Sequence, residues 1–70
     1  MTFKLLDTVA TTRDIPEFGI KAGDVGVIVE MFADPEEAYE VEFCNANGET
    51  IAMVSLLPSQ MISRSVRQAA

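Results

Sequence analysis

The sequence predicts an all-β domain, a small barrel of five short strands. Three observations lead there. β-Branched and aromatic residues gather in short runs, separated by glycine, proline, asparagine and aspartate, the usual punctuation between strands. The run Tyr39 to Cys44 alternates apolar and other residues, with Tyr39, Val41 and Phe43 on one side and Glu40, Glu42 and Cys44 on the other. Asn47-Gly48 lies between two such runs and signals a hairpin, because a type I′ turn needs positive φ at both central positions.

Taken in order, Leu5 to Thr12 is the first expected strand, rich in threonine and valine. The stretch RDIPEFGIKAGD follows as a long excursion. Pro16 holds Ile15 extended, and Gly19 and Gly23 suit positive φ. Val25 to Phe32 is the second strand. Its expected inward residues are Val27, Val29 and Met31, which turns Glu30 outward. Gly26 within it marks a bend or bulge. Asp34-Pro35 starts the turn Ala33 to Ala38. Tyr39 to Ala46 and Thr50 to Leu56 then pair as a hairpin. A two-residue Asn47-Gly48 turn sets Phe43 against Ala52, Val41 against Val54 and Tyr39 against Leu56, all on the core face. The outer face then holds Glu42 with Met53, Glu40 with Ser55 and Cys44 with Ile51. Pro58 begins a short 3-10 turn, and Ile62 to Val66 is the last strand. Residues 1–66 are expected to form a single domain, with 67–70 a frayed tail. This order, with its long first loop and its 3-10 turn before the last strand, is that of an SH3-like barrel. Closure deals with the sheet edges that so small a domain must protect.

Seventy residues allow one domain and a modest core, since a chain of this size buries only about 60% of its extended surface. A single cysteine, Cys44, forbids an internal disulfide and argues for a reducing, cytoplasmic setting. Nothing resembles a signal peptide or an apolar membrane span. The net charge is −6 and uneven. All 11 acids lie between Asp7 and Glu49, against three basic residues up to that point, while residues 50–70 hold Arg64, Arg67 and no acid. An acidic body repels phosphate, which disfavours nucleic acid and anionic membrane.

The chemistry is sparse. Gly23 and Gly26 do not form a phosphate loop, which needs Gly-Lys-Ser/Thr opening a helix; here a β-branched run follows. With no histidine in the chain, Cys44 lacks the base that a nucleophile requires. Glu30, Glu40 and Glu42 share the expected outer face. Acid–base work from them needs a concave, partly dry site, and a small barrel fills its own interior. As Ca²⁺ ligands they lack the spacing of an EF-hand loop, so a solvated acidic face is the simpler reading. No cofactor is expected and the chain is not expected to be an enzyme. A groove for proline-rich peptides needs aromatic walls, and this chain has one tyrosine, assigned to the core, and no tryptophan.

The stretches LLDTV, DIPEFGIKAGDVGVIVEMF and AYEVEFCNANGETIAMVSLLPSQM resemble an uncharacterised family of small bacterial proteins that look like free-standing SH3-like barrels. The resemblance spans Leu5 to Met61. It rests most on Ile15-Pro16-Glu17, on Lys21 to Gly26, on Tyr39 to Phe43 and on Leu57 to Gln60. It implies the barrel and brings no catalytic residue. Through members encoded beside toxin-like genes, the resemblance implies an antitoxin or immunity role. The skeleton also looks like small accessory subunits of photosynthetic electron transfer and the barrel domain of the nitrile hydratase beta subunit, through packing features that transfer little function.

What remains is a protein-interaction module. Its expected contact residues are Glu30, Glu40, Glu42, Ile51 and Met53 on the outer face, with Phe18 and Ile20 in the long loop. Those last two either plug the barrel end or await a partner. The expected partner is a protein with a basic or mixed-charge surface, and the chain is expected to be a monomer or homodimer. The alternative is a nucleic-acid-binding barrel of the ribosomal or transcription-factor type. That function calls for basic residues and exposed aromatics, where this loop offers Lys21 alone.

Overall fold

The structure, a computed structural model, describes residues 2–64. It is all-β: β1 (Thr8–Thr11), β2 (Val25–Phe32), β3 (Ala38–Cys44), β4 (Thr50–Leu56) and β5 (Met61–Ser63), with 3-10 turns at Pro16–Phe18 and Pro58–Gln60. The five strands form one antiparallel sheet in the order β4-β3-β2-β1-β5. The expected end of the last strand at Val66 and the tail 67–70 lie outside the described residues.

The β3–β4 hairpin has the register that the alternation predicts over most of its length. Tyr39 faces Leu56, Val41 faces Val54 and Phe43 faces Ala52; all are buried except Val54, which is half-buried. The turn differs. Gly48 takes positive φ (80°) and Asn47 does not, so this is no two-residue type I′ turn. Asn45 closes a three-residue loop instead: its N–H donates to Glu49 O at 2.9 Å, and its Oδ1 accepts the N–H groups of Asn47 and Glu49. An asparagine that can bond its own downstream backbone competes successfully with the tighter turn. The loop shifts the register by one, so Cys44 faces Thr50 rather than Ile51, and Ile51 becomes the extra residue of a bulge.

β2 departs further from expectation. Ile28 is the buried residue opposite Val41; Val27 and Val29 are half-buried and Met31 is exposed. A bulge at Val29 restores the pairing beyond it, so that Glu30 faces Glu40. Without a polar residue between Val25 and Val29, the apolar run could not reveal its phase. Gly26 is required by close approach. A Cβ there would meet Val41 Cγ1 at 2.6 Å and the Glu42 carbonyl at 2.8 Å.

β1 starts at Thr8, later than expected. Leu5 and Leu6 lie in a turn in which Asp7 Oδ2 accepts the Lys4 N–H, and Leu6 adopts φ 70°. Upstream, Phe3 is buried edge-on against the Tyr39 ring, with centroids 5.5 Å apart. Its N–H donates to the Tyr39 hydroxyl, which in turn donates to Glu37. The excursion between β1 and β2 folds back on itself: Ile15 and Ile20 exchange backbone hydrogen bonds of 2.8 and 3.2 Å around the first 3-10 turn. Both join the core with Val9, Ile28, Tyr39, Val41, Phe43, Leu56 and Met61. Burial of each large apolar side chain contributes about 1.5–3 kcal/mol, so ten or so of them carry the fold of a domain this small.

Candidate functional site

The pairing of β1 to β5 arranges the outer side chains in rows. One row runs Met53, Glu42, Val27, Thr8 across four strands. The next, toward the β2–β3 turn, runs Ser55, Glu40, Glu30. On the other side, Val25, Ala10 and Ile62 align across β2, β1 and β5, with Ala10 buried between its two exposed neighbours. The sheet thus has an acidic half and an apolar half, joined through Glu42 and Val27.

Of the residues singled out from the sequence, Glu30, Glu40 and Glu42 share this surface as expected, and Glu30 and Glu40 are direct cross-strand neighbours. Glu42 is tied down, for its carboxylate accepts the Thr50 hydroxyl. Met53 stands beside it, 50% exposed. Ile51 is exposed too, although the bulge removes it from the Cys44 position. Phe18 and Ile20 separate. Ile20 is 1% exposed and joins the core, so it is not a contact residue, whereas Phe18 is 47% exposed at the tip of the 3-10 turn. Its position is set by Gly19 at φ 68°, whose N–H bonds Pro16 O.

Sequence reasoning missed Val25 and Ile62, both exposed on this surface; Ser55, also exposed, stands opposite Glu40 as expected. The phase of β2 hid the first. Ile62 was legible as a strand residue, but its outward direction depends on pairing with Ala10, which no local signal carries.

A cleft of about 260 Å³ opens between the Arg13–Glu17 arm and β4. Val54, Ser55, Leu56 and Gln60 line its other wall, and no aromatic side chain lines it. Gln60 is fixed there because its Oε1 accepts the Leu57 N–H at 2.9 Å. Thr11, buried, ties the arm to the 3-10 turn: its hydroxyl bonds Arg13 O at 3.0 Å, and the Thr12 N–H donates to Gln60 O at 2.9 Å. Among the described residues, no three His, Cys, Asp or Glu side chains converge as a metal site would require. No helix among them is long and apolar enough to cross a membrane.

Among the described residues, two ionisable groups depart from their ordinary behaviour, and both belong to an N-terminal clamp, the network that ties Thr2 and Phe3 to Tyr39 and Glu37. The hydrogen bond from Tyr39, then that from the Thr2 N–H, holds the Glu37 carboxyl below its usual value of 4.5. Burial, reinforced by Glu37, pushes the Tyr39 hydroxyl above 10.0.

Compared with known protein families, residues 5–63 match the family described as a domain of unknown function, DUF4926. The chain belongs to this family. No curated protein and no solved structure matches it. The family match covers every strand and both 3-10 turns, and it assigns no activity.

Proposed function

We propose that this member of the family is a non-enzymatic, cytoplasmic protein-interaction module, an SH3-like barrel that serves a larger protein as antitoxin, immunity partner or accessory subunit. The strand order and the 3-10 turn before β5 support the SH3-like reading. The observation that carries the function is the composition of the outer sheet surface. Three carboxylates stand in adjacent rows beside the exposed side chains of Met53, Val25 and Ile62. Exposed apolar side chains next to aligned charges of one sign suit a partner that brings apolar contact and opposite charge.

The test is capture of partners from the native cell by the wild-type chain and by the Glu40→Lys/Glu42→Lys variant, followed by binding measurements with the purified partner. Loss of a specific partner in the variant supports the reading, and a partner held equally by both overturns the proposed surface. A gel shift with RNA or DNA at low salt would overturn it in favour of nucleic acid, because an acidic surface gains nothing from counterion release.

A further inference from the structure

β4 is an edge strand, first in the sheet order. It runs for seven residues with no charge and no proline. Exposed edges of that length usually carry lysine, proline or a cover, because a bare edge templates another strand. Among the described residues, β4 has a bulge at Ile51, near its start, and the Arg13–Glu17 arm stands across an open cleft from Val54, Ser55 and Leu56 without bonding their backbone.

The ladder fixes which backbone groups face outward. Ile28 donates its N–H to Asp7 O at 3.0 Å and accepts the Leu6 N–H at 2.8 Å, so both its groups point away from β3. Val41, opposite it, therefore turns both of its groups toward Val54 on β4. Alternation then gives Val54 and Leu56 to β3, and Met53 and Ser55 to the open edge. The Asn45 N–H on Glu49 O keeps the same parity at the turn. Among the described residues, no backbone bond outside the β3–β4 ladder engages residues 50–56. Met53 and Ser55 are both exposed.

We infer that this edge takes up an extended segment of a partner protein as a sixth strand, and that the segment carries a basic residue two positions from an apolar one. The inference deepens the interaction-module reading and rests on it. A residue opposite Ser55 projects on the outer surface in line with Ser55, Glu40 and Glu30. Strands lie about 4.8 Å apart, so Glu40 is two steps, about 10 Å, away, within reach of an arginine and a glutamate extended toward each other over a small serine. The residue two positions along opposes Met53 and packs on it. The cleft beside Ser55 and Leu56 adds Asp14 and Glu17 against one Arg13, so the surroundings stay acidic. A second copy is the poorer occupant, because two chains of net charge −6 repel and the edge of each brings its own glutamate rows.

The probe is the peptide acetyl-Thr-Val-Thr-Arg-Thr-Val-Thr-amide, which sets a valine two positions from arginine in either strand direction. It is titrated into the labelled full chain by NMR. The largest amide shifts are expected at Met53 and Ser55. N-methylation of the arginine amide blocks the edge bond without touching the protein and should weaken binding about tenfold or more. Ser55→Pro, which removes an outward N–H and spares the β3 ladder, should do the same. Glu40→Gln should weaken it about threefold, less in high salt. Equal binding of the N-methylated peptide, or shifts that avoid β4, would overturn the inference, as would a dimer in sedimentation that Ser55→Pro dissolves. If a captured native partner is lost on Glu40→Lys/Glu42→Lys but kept on Ser55→Pro, the module stands and the edge site falls. Loss on both supports the edge.

Discussion

β3 alternates from Tyr39 to Phe43 without interruption, burying every second residue and turning Glu40 and Glu42 out, whereas β2 beside it buries Gly26 and Ile28 and breaks phase at Val29. The two strands share a ladder but solve different problems. β3 has a partner on each side and carries the core on one face. β2 must bring its backbone within reach of Val41 and Glu42 at one end and realign Glu30 with Glu40 at the other. A missing side chain does the first and an added residue does the second. Regular strands are thus held by their side chains, and irregular ones by exceptions in the backbone.

Three measurements break or sharpen this comparison. The largest effect is expected at Gly26. Gly26→Ala forces a methyl to within 2.6 Å of Val41 Cγ1, and the nearby Glu42 carbonyl cannot swing aside as a side chain can. A loss of about 1–3 kcal/mol in urea unfolding is expected; a neutral result would show that β2 can slide away from β3. Next is Tyr39→Phe, which keeps the ring in the core and deletes the hydroxyl shared by Phe3 and Glu37. Leaving the buried Phe3 N–H without a partner should cost about 1–3 kcal/mol. The variant also changes the pH profile. Because the folded-state pKa of Glu37 is lowered, its contribution is present above 4.5 and is lost as pH falls through the folded value. Tyr39, raised, contributes below 10.0 and loses that contribution as pH rises. Tyr39→Phe should flatten both ends of the Tm profile, and an unchanged acid limb would show that the clamp does not set it. The smallest effect is expected at Glu30→Gln, which relieves the carboxylate pair across β2 and β3. A gain of about 0.2–1 kcal/mol that shrinks with added salt is expected.

The same contrast explains what could be foreseen. Glu40 and Glu42 interrupt the apolar residues of β3, so its inward face and its register with β4 were legible from Tyr39 to Phe43. Val25 to Val29 has no such marker, and the phase chosen for it put Val27, Val29 and Met31 inside in place of Ile28. The turn after Cys44 is wider than the Asn47-Gly48 pair implies because Asn45, outside that pair, supplies the decisive hydrogen bonds. Ile20 and Phe18 are equally apolar neighbours in sequence. The backbone bridge from Ile15 to Ile20 decides which one enters the core, and a bridge between loop residues leaves no periodic trace. Glu40 and Glu42 follow from the alternation of β3, whereas Glu30 stands beside Glu40 only because the bulge at Val29 resets the phase of β2; the open edge beside them needed the full ladder.

The pairing of β1 with β5 also has a temporal consequence. Val9 pairs with Ser63, nearly the full length of the described chain away, while β3 meets β4 across a loop of a few residues. Contacts so distant in sequence incur their loop-closure entropy before they return any energy, so the hairpin can form early and the β1–β5 seam must wait. β5 is also three residues long. The seam is therefore the part of the native protein that opens most readily, and its amides should exchange with solvent well before those of β3. Equal protection of β5 and β3 would mean that the sheet opens as one unit.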